Sequence, residues 1–275
     1  MKSFSNTYIF IFSAVVVVIV AALLSVVALQ LKPVQQKNIR VEKMQNILKS
    51  VRIESTKKNA EDLFRRYVTD SYVVNEKAEK LDGEVALEVD LKKEVAKIDQ
   101  IKKLNALLKE RRVSPFRKFL SGMINFEQVN RTTVKKDIST INNERKLPVF
   151  IMDKEGVTYY VFPLQGKGLW GPIWGFISLE SDMNTVYGAV FDHKTETPGL
   201  GAEIAQDWFA ANFQGKKLYE DGHFVSVAVV KGGTDASNPY GVDAISGGTI
   251  TSKGVEAMLY DCLSSYETYF AKQRD

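Results

Sequence analysis

Three textures succeed one another along the chain, and each predicts a different kind of element. Residues 8–31 read YIFIFSAVVVVIVAALLSVVALQL, with no charged side chain. At 1.5 Å rise per residue that run makes about 36 Å of helix, enough to cross a bilayer. It exceeds the roughly 7–15 apolar residues of a cleaved signal peptide, so a retained transmembrane helix is expected, preceded by a short tail over residues 1–7. Over residues 32–75 apolar positions recur at helical spacing (Ile39, Met44, Ile47, Leu48, Val51) among Lys, Arg and Glu. This predicts an amphipathic juxtamembrane helix followed by a further helical turn. Residues 76–146 are dense in Lys and Glu, and Val95, Ile98, Ile101, Leu104 and Leu107 or Leu108 form one stripe. A charged, mainly helical segment or insertion is expected there, its stripe packed on a domain and its charges in water.

From residue 147 to 275 the pattern turns strand-like: short β-branched and aromatic runs bounded by Gly, Pro, Asp and Asn. Strands are predicted at 149–152, 157–162, 173–179, 185–191 and 225–230, with turns at 153–156 and 181–184 that make neighbours antiparallel. Helices are predicted at 202–213, with Ile204, Trp208, Phe209 and Phe213 on one side, and at 252–270, with Val255, Met258, Leu259, Cys262, Leu263 and Tyr266 on one side. Cys262 therefore belongs to a core. The expected fold class is α+β: a transmembrane helix, then a largely antiparallel-sheet domain with flanking helices.

Composition narrows the chemistry. Among 275 residues, one cysteine and two histidines, His193 and His223, leave no disulfide framework, no iron–sulfur ligation and no multi-histidine metal centre within the chain. No metal ligands are assigned, and redox chemistry would need a carried organic cofactor. With 37 basic against 33 acidic residues, nucleic acid is not an expected partner. Lys2 precedes the apolar span, whereas Lys32, Lys37, Arg40 and Lys43 follow it. Counted alone, that bias puts the domain in the cytoplasm, although the rule loses force ahead of a long domain.

Three segments carry candidate chemistry. Gly166-Lys167-Gly168-Leu169-Trp170-Gly171 matches GxGxxG, but a dinucleotide loop needs a helix opening at its glycines, and β-like sequence follows instead. A glycine-rich strand connection is expected, one that can lay Leu169 and Trp170 beside a flat ligand. His193-Lys194-Thr195-Glu196-Thr197-Pro198-Gly199-Leu200-Gly201-Ala202-Glu203 joins a strand to a helix. Its amides can serve an anionic ligand, and it can equally be a rigid turn with an acidic first helical turn. His193 and Glu196 do not make the HExxH pair of a zinc protease. The third segment, Asp243-Ala244-Ile245-Ser246-Gly247-Gly248-Thr249-Ile250-Thr251-Ser252-Lys253, leads small and hydroxyl residues into the last helix. It is a phosphate seat in which Gly247 and Gly248 expose amides and Ser246, Thr249, Thr251 and Ser252 offer oxygens. It lacks the spacing of a triphosphate-hydrolysing loop.

The third segment resembles the Dxx(S/T)GAT signature of FMN-binding proteins in which the threonine is esterified to the flavin phosphate, with Gly248 in place of the usual alanine. Together with HxxETPGLG, the GKGLW run and the N-terminal membrane helix, the layout is similar to the NqrC family of sodium-translocating NADH:quinone reductases. The likeness covers the anchor, the juxtamembrane helix and about residues 148–270. It implies covalent FMN on Thr249, delivered from FAD by an FAD-dependent flavin transferase, with Asp243 and Ser246 for recognition and positioning. Gly247, Gly248, Thr251 and Lys253 would serve the phosphate, and Leu169, Trp170, Thr197, Pro198, Gly199 and Leu200 the ring.

It further implies an electron carrier, with no complete catalytic site of its own, among the other subunits of a bacterial complex that oxidises NADH, reduces quinone and moves sodium. That family places the FMN domain on the periplasmic side of the inner membrane, against the simple charge count. Two alternatives stay open: the homologous RnfG component of the Rnf complex, and a membrane-tethered binding module without redox chemistry.

Overall fold

The computed structural model describes residues 5–110, 131–235 and 237–274. It divides into two units, Met1–Met44 and Gln45–Asp275. Lys2 and residues 111–130 of the charged segment lie outside the described residues. In the first unit the chain is helical from Asn6, and every residue from 5 to 40 is exposed. The first helix, α1 (Asn6–Ser50), continues through Pro33 without ending where the apolar run ends. Its apolar stretch has the length and composition of a membrane span.

The second unit is built on a five-stranded sheet in the order β1-β2-β3-β4-β5, every neighbouring pair antiparallel. The strands are β1 (Val68–Val74), β2 (Leu147–Lys154), β3 (Val157–Lys167), β4 (Pro172–Leu179) and β5 (Val186–His193). Strand β1 is a departure from the sequence pattern, which predicted helix up to residue 75; helix ends with α2 (Ala60–Tyr67), directly before it. Its seven residues alternate poorly, since a register shift between Val68 and Asp70 breaks the two-residue period and Val73 and Val74 are both buried. A strand whose partner lies about eighty residues downstream leaves little local signal.

The end of α1 is bonded to the sheet. Ser178 donates its hydroxyl to the Ser50 carbonyl at 2.7 Å. Lys154 donates to the carbonyls of Val51 and Arg52 at 3.1 and 3.3 Å, placing a cation at the negative helix terminus. The lysine-rich segment packs on the domain as helices α3 (Leu91–Glu110) and α4 (Arg131–Asn143), with Ile98 and Val134 buried. Lys102–Asp261 at 2.6 Å and Lys167–Asp99 at 2.7 Å tie α3 to it.

Downstream of β5, the predicted helix 202–213 is two short pieces, a 3-10 turn at Gly201–Ala205 and α5 (Asp207–Ala211), separated by the extended Gln206. The break shifts the phase: Ile204, Phe209 and Phe213 are fully buried, but Trp208 is exposed, contrary to the predicted stripe. Two small pairs follow, β6 (Tyr219–Glu220) with β7 (His223–Phe224), antiparallel, and β8 (Ala228–Val230) with β9 (Gly241–Asp243), parallel. The predicted strand 225–230 is therefore shorter and lies outside the main sheet.

The last helix, α6 (Thr249–Leu263), continues through a 3-10 turn into α7 (Glu267–Arg274). Val255, Met258, Leu259, Cys262 and Leu263 recur at three- and four-residue spacing, so one face is buried in the core cluster. Phe162 of β3 packs edge-on against Tyr266 and Phe270, with ring centroids 4.8 and 5.1 Å apart. This packing fixes where α6 begins.

Burial pushes the Cys262 thiol up to about 11, the amide of Gln165 opposing that shift. The shift favours the neutral thiol, so at pH 8.5 roughly 0.3% would be thiolate. Iodoacetamide at that pH should leave Cys262 unlabelled in the native protein and label it fully in guanidinium. Rapid native labelling, read by mass spectrometry, would contradict this placement.

Candidate functional site

An α-helix cannot satisfy its own first amides. In α6 the residue at the cap position is Gly248, and among the described residues no side chain caps the helix. The first amide bonded within the turn is that of Ser252, to the Gly248 carbonyl at 2.9 Å. The amides of Thr249, Ile250 and Thr251 thus form a bare helix start, a surface of positive partial charge. The loop before it is tightly folded: Gly248 N–H donates to the Ile245 carbonyl at 3.0 Å, and the buried Ser252 hydroxyl accepts from Ile245 N–H at 3.0 Å. Gly247 takes a φ of +73°, a conformation that glycine adopts without penalty. Thr249 is half-buried, while Ser246 and Gly247 are exposed.

The ETPGLG turn lies against this loop. Leu200 and Ala202 donate their amides to the Thr197 carbonyl, each at 3.1 Å, closing the turn. A Cβ on Gly247 would meet Leu200 Cδ2 at 2.6 Å, and one on Gly248 would meet the Leu200 carbonyl at 3.1 Å. These glycines let two segments approach that the sequence could only treat separately.

The third segment is the β3–β4 turn, where Gly168 N–H donates to the Gly171 carbonyl at 2.8 Å. A hairpin occupies the GxGxxG match, as the β-like continuation predicted. Thr195 reaches it by donating to the Trp170 carbonyl at 3.0 Å. Leu169, Trp170, Leu200 and Ile250 stand 48%, 67%, 42% and 61% exposed, four large apolar side chains on the segments around the bare helix start. Ile250 was not singled out from the sequence; its only signal is apolarity at the first turn of a helix, on a position the buried stripe omits.

Several predicted ligand residues have other work. Thr251 does not offer its oxygen outward: it is 1% exposed and donates its hydroxyl to Glu196 at 2.5 Å. Lys253 directs its ammonium to Glu256, at 2.8 and 2.9 Å. Asp243 accepts the Thr234 amide at 2.7 Å and so braces the turn ahead of β9. Thr197, Pro198 and Gly199 sit in the turn, Thr197 at its closing carbonyl and Gly199 at a φ of +74°. The residue that sequence reasoning missed is Glu196, only 4% exposed. Its nearness to His193 in sequence matches no metal motif, and its place in the HxxETPGLG run was the one signal that marked it, without a role attached. In the structure His193 Nδ1 accepts the Glu196 amide at 3.2 Å, while the carboxylate points inward.

The donor set suits a phosphorylated flat ligand: bare amides for a phosphodiester and an exposed apolar rim for a ring, with a hydroxyl at the first helical position between them.

Replacing Gly247 by Ala should cost about 2 kcal/mol, from the left-handed backbone and the contact with Leu200. Equilibrium denaturation of the detergent-solubilised chain checks this; an unchanged midpoint would mean that the loop and the turn are not packed as described.

Comparison with known proteins fits this geometry. Residues 168–264 match the FMN-binding domain family, a stretch that contains the turn, the ETPGLG segment and Thr249. The Na(+)-translocating NADH-quinone reductase protein NqrC of Vibrio anguillarum is 36% identical over 149 residues, covering 53% of this chain and 58% of that protein. Its counterpart from Vibrio vulnificus strain YJ016 is 29% identical over 257 residues, covering 92% of this chain and 89% of its own length. The crystal structure of the equivalent protein from Parabacteroides distasonis superposes with a TM-score of 0.67 at 36% identity, covering 87% of this chain and 96% of that one. The chain belongs to the NqrC family of Na(+)-translocating NADH-quinone reductases.

Proposed function

We propose that this chain is a membrane-anchored electron-transfer subunit of a Na(+)-translocating NADH-quinone reductase and that it carries FMN through a phosphoester on Thr249. One observation carries the reading: three segments distant in sequence meet at a helix start whose amides are bare and whose first residue is a threonine.

The amides of residues 249–251, with Ser246 and Gly247, would hold the phosphodiester, whereas Gly248, which the sequence offered as an exposed amide, is buried and spends its N–H on the Ile245 carbonyl. Leu169 and Trp170 with the Thr197–Leu200 turn would hold the ring, and Ile250 would extend that surface. Asp243 and Ser246 flank the loop on its exposed side, where an FAD-dependent flavin transferase would engage it. In that modification the Thr249 oxygen forms a bond to the FMN phosphorus of FAD, the pyrophosphate bond breaks and AMP leaves with its electron pair. The hydroxyl proton passes to the transferase, since threonine is a weak nucleophile without an outside base. When bound, FMN supplies the electron-accepting and electron-donating chemistry.

The exposed rim suits exchange of electrons with cofactors on other subunits, whereas substrate catalysis would call for a closed pocket with acid–base geometry. The apolar stretch of α1 supports a single-pass anchor in the bacterial inner membrane. A periplasmic position of the domain is part of this reading; the basic flank, which points the other way, is weak evidence ahead of a long domain.

Denaturing electrophoresis under blue excitation tests the attachment. The wild-type chain made beside its transferase should give a fluorescent band and a mass increase on the peptide containing Thr249. Thr249→Val, which keeps the shape and removes the oxygen, should give neither. An unlabelled wild-type band in cells able to install the group would overturn the reading.

A further inference from the structure

Glu196 has no part in the function above, yet the site is built around it. Oε1 accepts the Trp170 amide at 2.8 Å and Oε2 accepts the Thr251 hydroxyl at 2.5 Å. A Cβ on Gly168 would lie 2.5 Å from Oε1, and one on Gly201 would lie 2.5 Å from Oε2. The β3–β4 turn and the ETPGLG segment therefore each place a glycine where one carboxylate must fit, and α6 supplies a hydroxyl.

A buried carboxylate is expensive unless its oxygens are bonded, and an apolar side chain would fill the space without that cost. Two donors and the positive end of α6 offset the penalty. Simple core filling does not explain such a group; joining the three segments does. Its position relative to the helix also matters. An ordinary capping side chain at Gly248 would occupy one of the first amides. Glu196 instead grips the helix through a side-chain hydroxyl, so the turn is held while its backbone donors remain bare.

We propose that Glu196 is a positioning residue for flavin attachment: it clamps the Thr251 hydroxyl and the Trp170 amide, holding the first turn of α6 and the neighbouring hairpin in register while leaving the amides beside Thr249 free for phosphate. The proposal rests on the assignment of Thr249 as the attachment residue. The clamp acts through geometry. Gln at this position can keep both bonds, its carbonyl accepting from Trp170 N–H and its amide donating to a rotated Thr251 hydroxyl.

The test uses the full chain in detergent, apo, incubated with purified flavin transferase and FAD, with the initial rate of covalent labelling as the readout. Labelling is run well below each variant's melting temperature, where circular dichroism is native. Glu196→Ala and Thr251→Val should each slow labelling at least about tenfold, the size expected for losing a bond to a charged group. Glu196→Gln should stay within about threefold of wild type, and the Glu196→Ala/Thr251→Val double variant should be no slower than the slower single, because both break one clamp.

Wild-type labelling of Glu196→Ala, a Gln variant as slow as Ala, or additive effects in the double variant would each overturn the proposal. Hydrogen exchange of unlabelled protein separates this from failure at Thr249. If the wild type takes no flavin, the attachment site is wrong, but Glu196→Ala should still speed exchange of the Trp170 amide. Unchanged exchange there would refute the clamp.

Discussion

The first turn of a helix has donors that its own backbone cannot use, and the architecture of this domain follows from leaving those donors bare at the start of α6. The opposite side of the helix is committed to the core: Val255, Met258, Leu259, Cys262 and Leu263 are buried on the five-stranded sheet. With that face fixed, the start of the helix is held at one end of β3, where the hairpin to β4 turns. Helix position is thus decided by apolar burial, which is strong and non-directional. What the start of the helix can bind is decided by a few hydrogen bonds.

Those hydrogen bonds divide cleanly between support and surface. Ser252 folds the loop back through the Ile245 amide, and Thr251 is spent on Glu196; both side chains are buried. Ser246 and the half-buried Thr249 are left towards solvent. The hydroxyls in one short run therefore serve different ends, the inner ones bracing the loop and the outer ones available for chemistry. The same division holds across the turn, where Glu196 is buried and Leu200 is exposed.

Much of this was legible from periodicity. The strands β2 to β5 and the stripe of α6 follow from two- and three-to-four-residue spacing, because each element buries one face. The runs 243–253 and 193–203 drew attention through glycines and hydroxyls at helix entrances, but only the family resemblance picked Thr249 out of the four hydroxyls of the first. Strand β1 did not, since its partner is remote and its bulge spoils the alternation. Trp208 was misplaced because the extended Gln206 interrupts the helix, a backbone event with no marker in composition. Thr251 was misread and Glu196 missed for a related reason. Whether a hydroxyl or a carboxylate faces solvent or a neighbouring segment depends on tertiary approach, and here that approach is made by Gly168 and Gly201.

An enclosed pocket retains a small ligand by burying most of its surface. The rim here does the reverse: Leu169, Trp170, Leu200 and Ile250 stay largely open. Such a surface suits contact with another protein's cofactor and would release an untethered ligand readily. The covalent link proposed at Thr249 would remove that conflict, because it would fix the local concentration of the group independently of how much of it is buried. Exposure and retention would then no longer compete, and the buried interactions could be spent on holding the loop. The distribution seen along 243–253 is consistent with that division: tight bonding beneath the loop, an open apolar rim above it and a hydroxyl between them.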